Sequence, residues 1–87
     1  MSITFQPVAV ETDSQDHDGL LVFTDGKLVG LLVRLVDEAH DPATLGAWHL
    51  EAAFGRVERG RGTLFASLDE AEGAITGWRN GWYAGRR

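Results

Sequence analysis

The sequence contains no cysteine, which excludes disulfide bonds, zinc sites built on thiolates and cysteine nucleophiles. No uncharged apolar run approaches the ~20 residues that a membrane-spanning helix needs. The first residues also lack the basic segment and the long apolar stretch of a signal peptide. We therefore expect a soluble, cytoplasmic protein without a membrane partner.

The 87 residues suffice for a single domain, residues 1–87, with one modest hydrophobic core. The net charge of −5 is unevenly distributed, because residues 1–44 carry eight acidic and two basic side chains, whereas residues 45–87 carry five and six. An acidic chain repels phosphate backbones at long range. Nucleic acid is therefore not the favoured partner.

Apolar and β-branched residues predict three strands, near residues 3–10, 47–56 and 63–66. Pro7 cannot donate a hydrogen bond to a β-ladder, so the first of these strands is expected at an edge of the sheet. The second strand alternates in polarity. The side chains expected on its buried side are Trp48, Leu50, Ala52 and Phe54.

The clearest local pattern is a β-hairpin over residues 20–36, in which Asp25 and Gly26 separate two apolar runs. This dipeptide is preferred in two-residue type I′ turns, because both of its residues must adopt a positive φ. Such a turn determines the pairing of the two strands. The expected pairs are Thr24 with Lys27, Phe23 with Leu28 and Val22 with Val29.

A helix is predicted over about residues 67–80. Ser67 and Glu70 have the spacing of a capping box, in which Ser67 accepts from the amide of Glu70 and Glu70 reaches back to the amide of Ser67. Asn80 and Gly81 are typical of a helix end. One apolar stripe follows the helical period: Leu68, Ala71, Ile75, Trp78 and Trp82. The predicted fold is α+β, a small antiparallel sheet with one C-terminal helix packed on one face.

Both faces of the predicted hairpin are apolar, although one helix can cover only one face of a sheet. The uncovered face is expected to consist of Leu21, Phe23, Leu28, Leu32 and Val36. It could be covered by residues 1–10, by a second copy of the chain or by another protein, because large apolar patches are normally interaction sites. We therefore predict a non-enzymatic interaction domain that forms a homo-oligomer or binds another protein.

No sequence motif of a hydrolase, a nucleotide-binding loop or a metalloprotease is present, so we expect no enzyme activity and no cofactor. His49 and Glu51 lie on the same side of a predicted strand and are the best acid–base candidates, although an exposed polar pair explains them equally well. His17 and His40 lie in acidic loops. These loops could bind a divalent cation only if their side chains converged, so no metal is expected.

An alternative function is the binding of a nucleic acid or another polyanion by the basic C-terminal half. Interleaved arginine and aromatic side chains suit phosphate contacts and stacking on single-stranded bases. The candidate arginines are Arg56, Arg59 and Arg61 in one loop, with Arg86 and Arg87 at the end. Trp78 separates the two interpretations, because it cannot be both part of the core and an exposed stacking surface.

Overall fold

The computed structural model describes residues 3–12, 15–37 and 40–81. In these ranges the chain forms a five-stranded antiparallel sheet, whose strands lie side by side in sequence order, and one C-terminal helix. The elements are β1 (Ile3–Ala9), β2 (Asp18–Thr24), β3 (Lys27–Arg34), β4 (Trp48–Ala53), β5 (Leu64–Phe65) and α1 (Leu68–Arg79). Short 3₁₀ helices, Pro42–Thr44 and Gly55–Gly60, lie before and after β4. The predicted α+β fold is confirmed.

Strand β1 lies at one edge of the sheet and pairs with β2. The edge position expected from Pro7 is therefore confirmed, because the missing N–H costs no ladder hydrogen bond there. Residues 3–9 lie within the sheet and not across its second face. The interpretation that residues 1–10 cover that face is therefore wrong for this strand.

The turn between β2 and β3 has the predicted conformation, with φ of 52° at Asp25 and 82° at Gly26. Next to the turn, Thr24 pairs with Lys27 and Phe23 with Leu28, as expected. The pairing then shifts by one residue. The observed partners beyond this point are Val22 with Gly30, Leu21 with Leu31 and Leu20 with Leu32. The predicted pairing of Val22 with Val29 is therefore wrong.

Successive side chains of a strand alternate between the two faces of the sheet. Because of this β-bulge, each residue of β3 that follows it lies on the face opposite to the one predicted. Leu32 is 0% exposed and belongs to the core beneath α1. Leu31 pairs with Leu21 and lies on the opposite face. The placement of Leu32 on the uncovered face was wrong, and Leu31 takes its position.

A second bulge occurs where β3 pairs with β4. Leu32 pairs with Leu50 and Leu31 with Ala52, so that Glu51 is an extra residue in β4. The core side therefore continues with Ala53, which is buried, whereas Phe54 is 51% exposed. The prediction that Ala52 and Phe54 share the buried side with Trp48 and Leu50 is therefore wrong.

Helix α1 begins and ends as the sequence predicts. The amide of Glu70 donates to the Ser67 hydroxyl at 3.1 Å, which caps the first turn. The carboxylate of Glu70 accepts from the amide of Ala66 at 2.8 Å, not from that of Ser67. Asn80 is the C-cap, and Gly81 follows it with φ of 83°.

The core lies between α1, the Gly55–Gly60 helix and one face of the sheet. Its buried side chains include Val22, Leu32, Leu50, Val57, Phe65, Ala71 and Ile75. The ring of Trp78 packs against this cluster, with its centroid 6.1 Å from that of Phe65. It also lies on Gly60, where any side chain would collide with it. The predicted core role of Trp78 is confirmed, whereas Trp82 lies outside the described residues.

Within the part of the chain that the structure describes, no helix has the length and apolar character needed to cross a membrane.

Candidate functional site

The face of the sheet turned away from α1, here called the open face, carries a patch of large apolar side chains. Strand pairing places Leu21 beside Leu31 and Phe23 beside Leu28 on this face. Phe54 follows the buried Ala53 in extended backbone, with φ of −133° and ψ of 156°, and therefore points to the opposite side. The apolar patch is accordingly defined as Leu21, Phe23, Leu28, Leu31 and Phe54.

Exposure within the apolar patch is greatest near the hairpin turn. Leu28 is 40% exposed and Phe54 is 51% exposed, whereas the other three side chains are half-buried. On the neighbouring edge strand, Thr4 pairs with Phe23 and Gln6 with Leu21, so that polar side chains border the patch. An apolar centre with a polar border is the usual composition of a protein interface.

The end of the open face far from the turn is covered by the loop between β1 and β2. A side chain on Gly19 would meet those of Val10 and Leu31, which shows that Val10 lies over this end of the face. Val33, which pairs with Gly19, is buried. The chain therefore covers one end of its second face and leaves the apolar patch uncovered.

Asp16 connects this loop to the segment that follows β3 through hydrogen bonds of its side chain. Its Oδ1 accepts hydrogen bonds from the amides of Val36 at 2.6 Å and Asp37 at 2.7 Å, and its Oδ2 accepts from Nε2 of His40. The side chain of Asp16 is only 6% exposed. Val36 was predicted to lie on the uncovered face. It lies instead after the end of β3, in the segment that is hydrogen-bonded to Asp16, and is exposed. Its part in an interface stays a prediction.

The surroundings of Asp16 favour its ionised form. Burial is the largest single influence on the pKa of this carboxyl group and acts to raise it. The hydrogen bonds from His40 and from the amides of Val36 and Asp37, together with the charge of His40, act in the opposite direction and prevail. The pKa is lowered from 3.8 to about 2. Asp16 therefore remains a buried carboxylate throughout the physiological pH range.

Asp16→Asn is expected to destabilise the protein by about 2–3 kcal/mol at neutral pH, because it weakens hydrogen bonds made to a charged group. Since folding lowers the pKa of Asp16, its contribution to the free energy of unfolding is complete above about pH 4 and is lost as the pH falls towards 2. Urea denaturation of both proteins between pH 7 and pH 2.5 measures this difference. Asp18→Asn, at an exposed aspartate, serves as control. A difference that stays constant down to pH 2.5 would contradict the assignment.

His49 and Glu51 form a second histidine–carboxylate pair, with 2.9 Å between Nδ1 and Oε1. The prediction that they lie on the same side of the strand is confirmed. Both histidines, His40 and His49, line one cleft of about 470 Å³, together with Asp16 and Glu51. His49 pairs with Val33 in the sheet, so the cleft continues the open face at its covered end.

The structure separates the other polar groups that the sequence places together. His17 is exposed, and its ring contacts the carbonyl of Val10, whereas the adjacent Asp16 is buried. In the described ranges, no three histidine or acidic side chains converge to hold a metal ion. The pair of Asp16 and His40 was missed in the sequence, because its members are 24 positions apart and neither lies in a periodic pattern.

The three described arginines of the polyanion-binding interpretation, Arg56, Arg59 and Arg61, are exposed, and two of them contact other groups of the chain. Arg59 donates to the carbonyl of Arg56 at 3.1 Å, and Arg61 lies 3.7 Å from the carboxylate of Glu58. The ring of Trp78, required as a stacking surface, packs in the core instead. Arg86 and Arg87 lie outside the described residues.

Comparison of this chain with known protein families, with curated proteins and with solved structures finds no match. The open face and the cleft at its end are two distinct surfaces of the described structure. The first is an apolar surface bordered by polar side chains, and the second is a concave polar site.

Proposed function

We propose that this protein is a non-enzymatic interaction domain that self-associates through the open face. The supporting observation is the uncovered apolar patch, in which Phe54 is 51% and Leu28 is 40% exposed. Soluble monomers seldom leave a contiguous patch of this kind in water, because burial of apolar surface is favourable by ~25 cal/mol per Å². Contact with a second copy would remove the patch from water.

The size of the uncovered part of the open face limits the strength of a dimer. Four strands about 4.8 Å apart, uncovered over about four residues each, give a surface of roughly 19 by 13 Å. Two copies that meet face to face would bury roughly 500–600 Å² in total, which is below the range of stable specific interfaces. Self-association is therefore expected to be weak, with a Kd of about 100 µM or more.

The shape of the open face also favours a second copy over an unrelated partner. Two sheets pack face to face about 10 Å apart with their strands nearly aligned, and a two-fold axis brings the same patch from each copy into contact. Helix α1 lies on the opposite side of the sheet and would stay outside such a dimer. Thr4 and Gln6 would lie at its polar border.

Phe54→Glu is expected to abolish self-association, because it places a charge at the most exposed position of the apolar patch. Light scattering of the wild-type protein between about 1 and 500 µM should show the mass rising from 9.5 kDa towards twice that value. The variant should remain at 9.5 kDa and retain the wild-type melting temperature.

Leu45→Glu is the matched control, because Leu45 is an exposed leucine in the β3–β4 connection, outside the patch. It should associate like the wild type. A wild-type protein that stays monomeric at every concentration contradicts the proposal, as does equal weakening by the two substitutions. A monomer that gains mass only when a single-stranded oligonucleotide is added would instead support polyanion binding through Arg56, Arg59 and Arg61.

A further inference from the structure

We propose that the cleft between His40 and His49 binds a guanidinium or alkylammonium group carried on a short aliphatic stem. The cleft holds about 470 Å³, within the range of ~300–1,000 Å³ that is usual for small-molecule sites. Its lining joins the β1–β2 loop, the segment after β3 and the strands β4 and β5. This proposal does not depend on self-association, because the lining residues that the structure describes all belong to one chain.

The polar groups of the cleft form two hydrogen-bonded pairs. Asp16 holds His40 through its Nε2, and Glu51 holds His49 through its Nδ1. The second nitrogen of each ring, Nδ1 of His40 and Nε2 of His49, makes no hydrogen bond to the part of the chain that the structure describes. In its neutral form, each imidazole therefore offers a hydrogen-bond acceptor whose direction is set by the carboxylate that its other nitrogen contacts.

The charge of the cleft favours a cation. The described residues that line it include the carboxylates of Asp16 and Glu51 but neither lysine nor arginine. Because Asp16 is buried and held by hydrogen bonds to its ionised form, its charge persists in surroundings where water screens it poorly. An anion would be repelled, whereas a cationic donor would meet the imidazole acceptors in the negative potential of the two carboxylates.

The lining of the cleft also includes apolar side chains, those of Val33, Leu35 and Leu64, of which Val33 and Leu64 pair with His49 in the sheet. A ligand that matches both the polar and the apolar groups of this lining has a charged head and an aliphatic stem, as the side chains of arginine and lysine have. The proposed chemical class is therefore an alkylguanidinium or alkylammonium. It could be supplied either by a free small molecule or by a basic side chain of another polypeptide, including a second copy of this chain.

Titration with butylguanidinium tests the proposal, observed through the imidazole C–H signals of His40 and His49 in NMR spectra. We expect saturable shifts of both rings with a Kd of about 1–10 mM, appropriate for a ligand of so few atoms. Butylurea, which has the same shape without the charge, should bind at least tenfold more weakly. Equal binding of the two compounds, or shifts that do not saturate, would overturn the proposal.

Glu51→Gln should weaken the binding of butylguanidinium at least fivefold, because it removes one of the two charges of the cleft. Glu58→Gln is the matched control: its side chain is 57% exposed, against 53% for Glu51, and lies outside the cleft lining. It should change the Kd by less than twofold. Similar weakening by both substitutions would show that only the net charge of the protein matters, and would contradict a site in the cleft.

The source of the cationic group is identified by repeating the titration at several protein concentrations. If a side chain of a second copy normally occupies the cleft, butylguanidinium should bind more weakly as the protein concentration rises, and should reduce the dimer fraction. If the ligand is a free cation, the Kd should not depend on protein concentration. A monomeric protein that binds the probe would refute self-association and leave the cleft site intact.

Discussion

Leu32→Asp is expected to unfold the protein, whereas Leu31→Asp should leave it folded. Leu32 is 0% exposed beneath α1 and pairs with Leu50, so that an aspartate there is an unpaired charge in the core. Its cost, roughly 4 kcal/mol or more, is comparable to the total stability of a small domain. Leu31 is half-buried on the open face, where an aspartate can reach water.

Circular dichroism and urea denaturation of the two variants measure this difference. The comparison tests the bulge between β2 and β3 directly, because a hairpin with uninterrupted pairing would exchange the two results. A folded Leu32→Asp protein beside an unfolded Leu31→Asp protein would therefore show that the pairing continues without the bulge. If self-association uses the open face, Leu31→Asp should also weaken it.

Trp78→Ala is expected to reduce the free energy of unfolding by about 3–4 kcal/mol, within the usual range for truncation of a large aromatic side chain in a core. The ring contacts Phe65 and lies on Gly60, so its removal leaves a space between α1 and the Gly55–Gly60 helix. For a chain of this size the melting temperature should fall by more than about 10 °C. Thermal denaturation followed by circular dichroism measures the change.

Gly60→Ala provides the control for Trp78. A methyl group on Gly60 would collide with the Trp78 ring, so this substitution should destabilise the wild-type protein. It should cost much less in a Trp78→Ala background, because the ring is then absent, and the two changes should be strongly non-additive. Additive effects, or a Trp78→Ala melting temperature within a degree or two of wild type, would place the ring at the surface. That result would favour stacking on a polyanion.

The sequence alone determines those secondary-structure elements that are specified by interactions between residues close together in the chain. Asp25 and Gly26 select the turn because both must adopt a positive φ, as observed. Ser67 caps α1 through the amide of Glu70, and Pro7 excludes a central position for β1. These interactions are local, so they predict the order and type of elements and the α+β fold. They also predict that one sheet face lacks a covering helix.

Only the tertiary structure decides which leucine faces the core. The bulge at Val29 is seen only in the pairing of β2 with β3, and Gly30, an isolated glycine within the strand pattern, is the one signal that indicates it in the sequence. That single extra residue places Leu32 in the core and turns Leu31 to the open face, and the bulge at Glu51 likewise places Ala53 in the core and Phe54 on the open face. The cleft likewise depends on contacts between Asp16 and residues at least 20 positions away. Such contacts depend on how the loops meet in space, which no local pattern encodes.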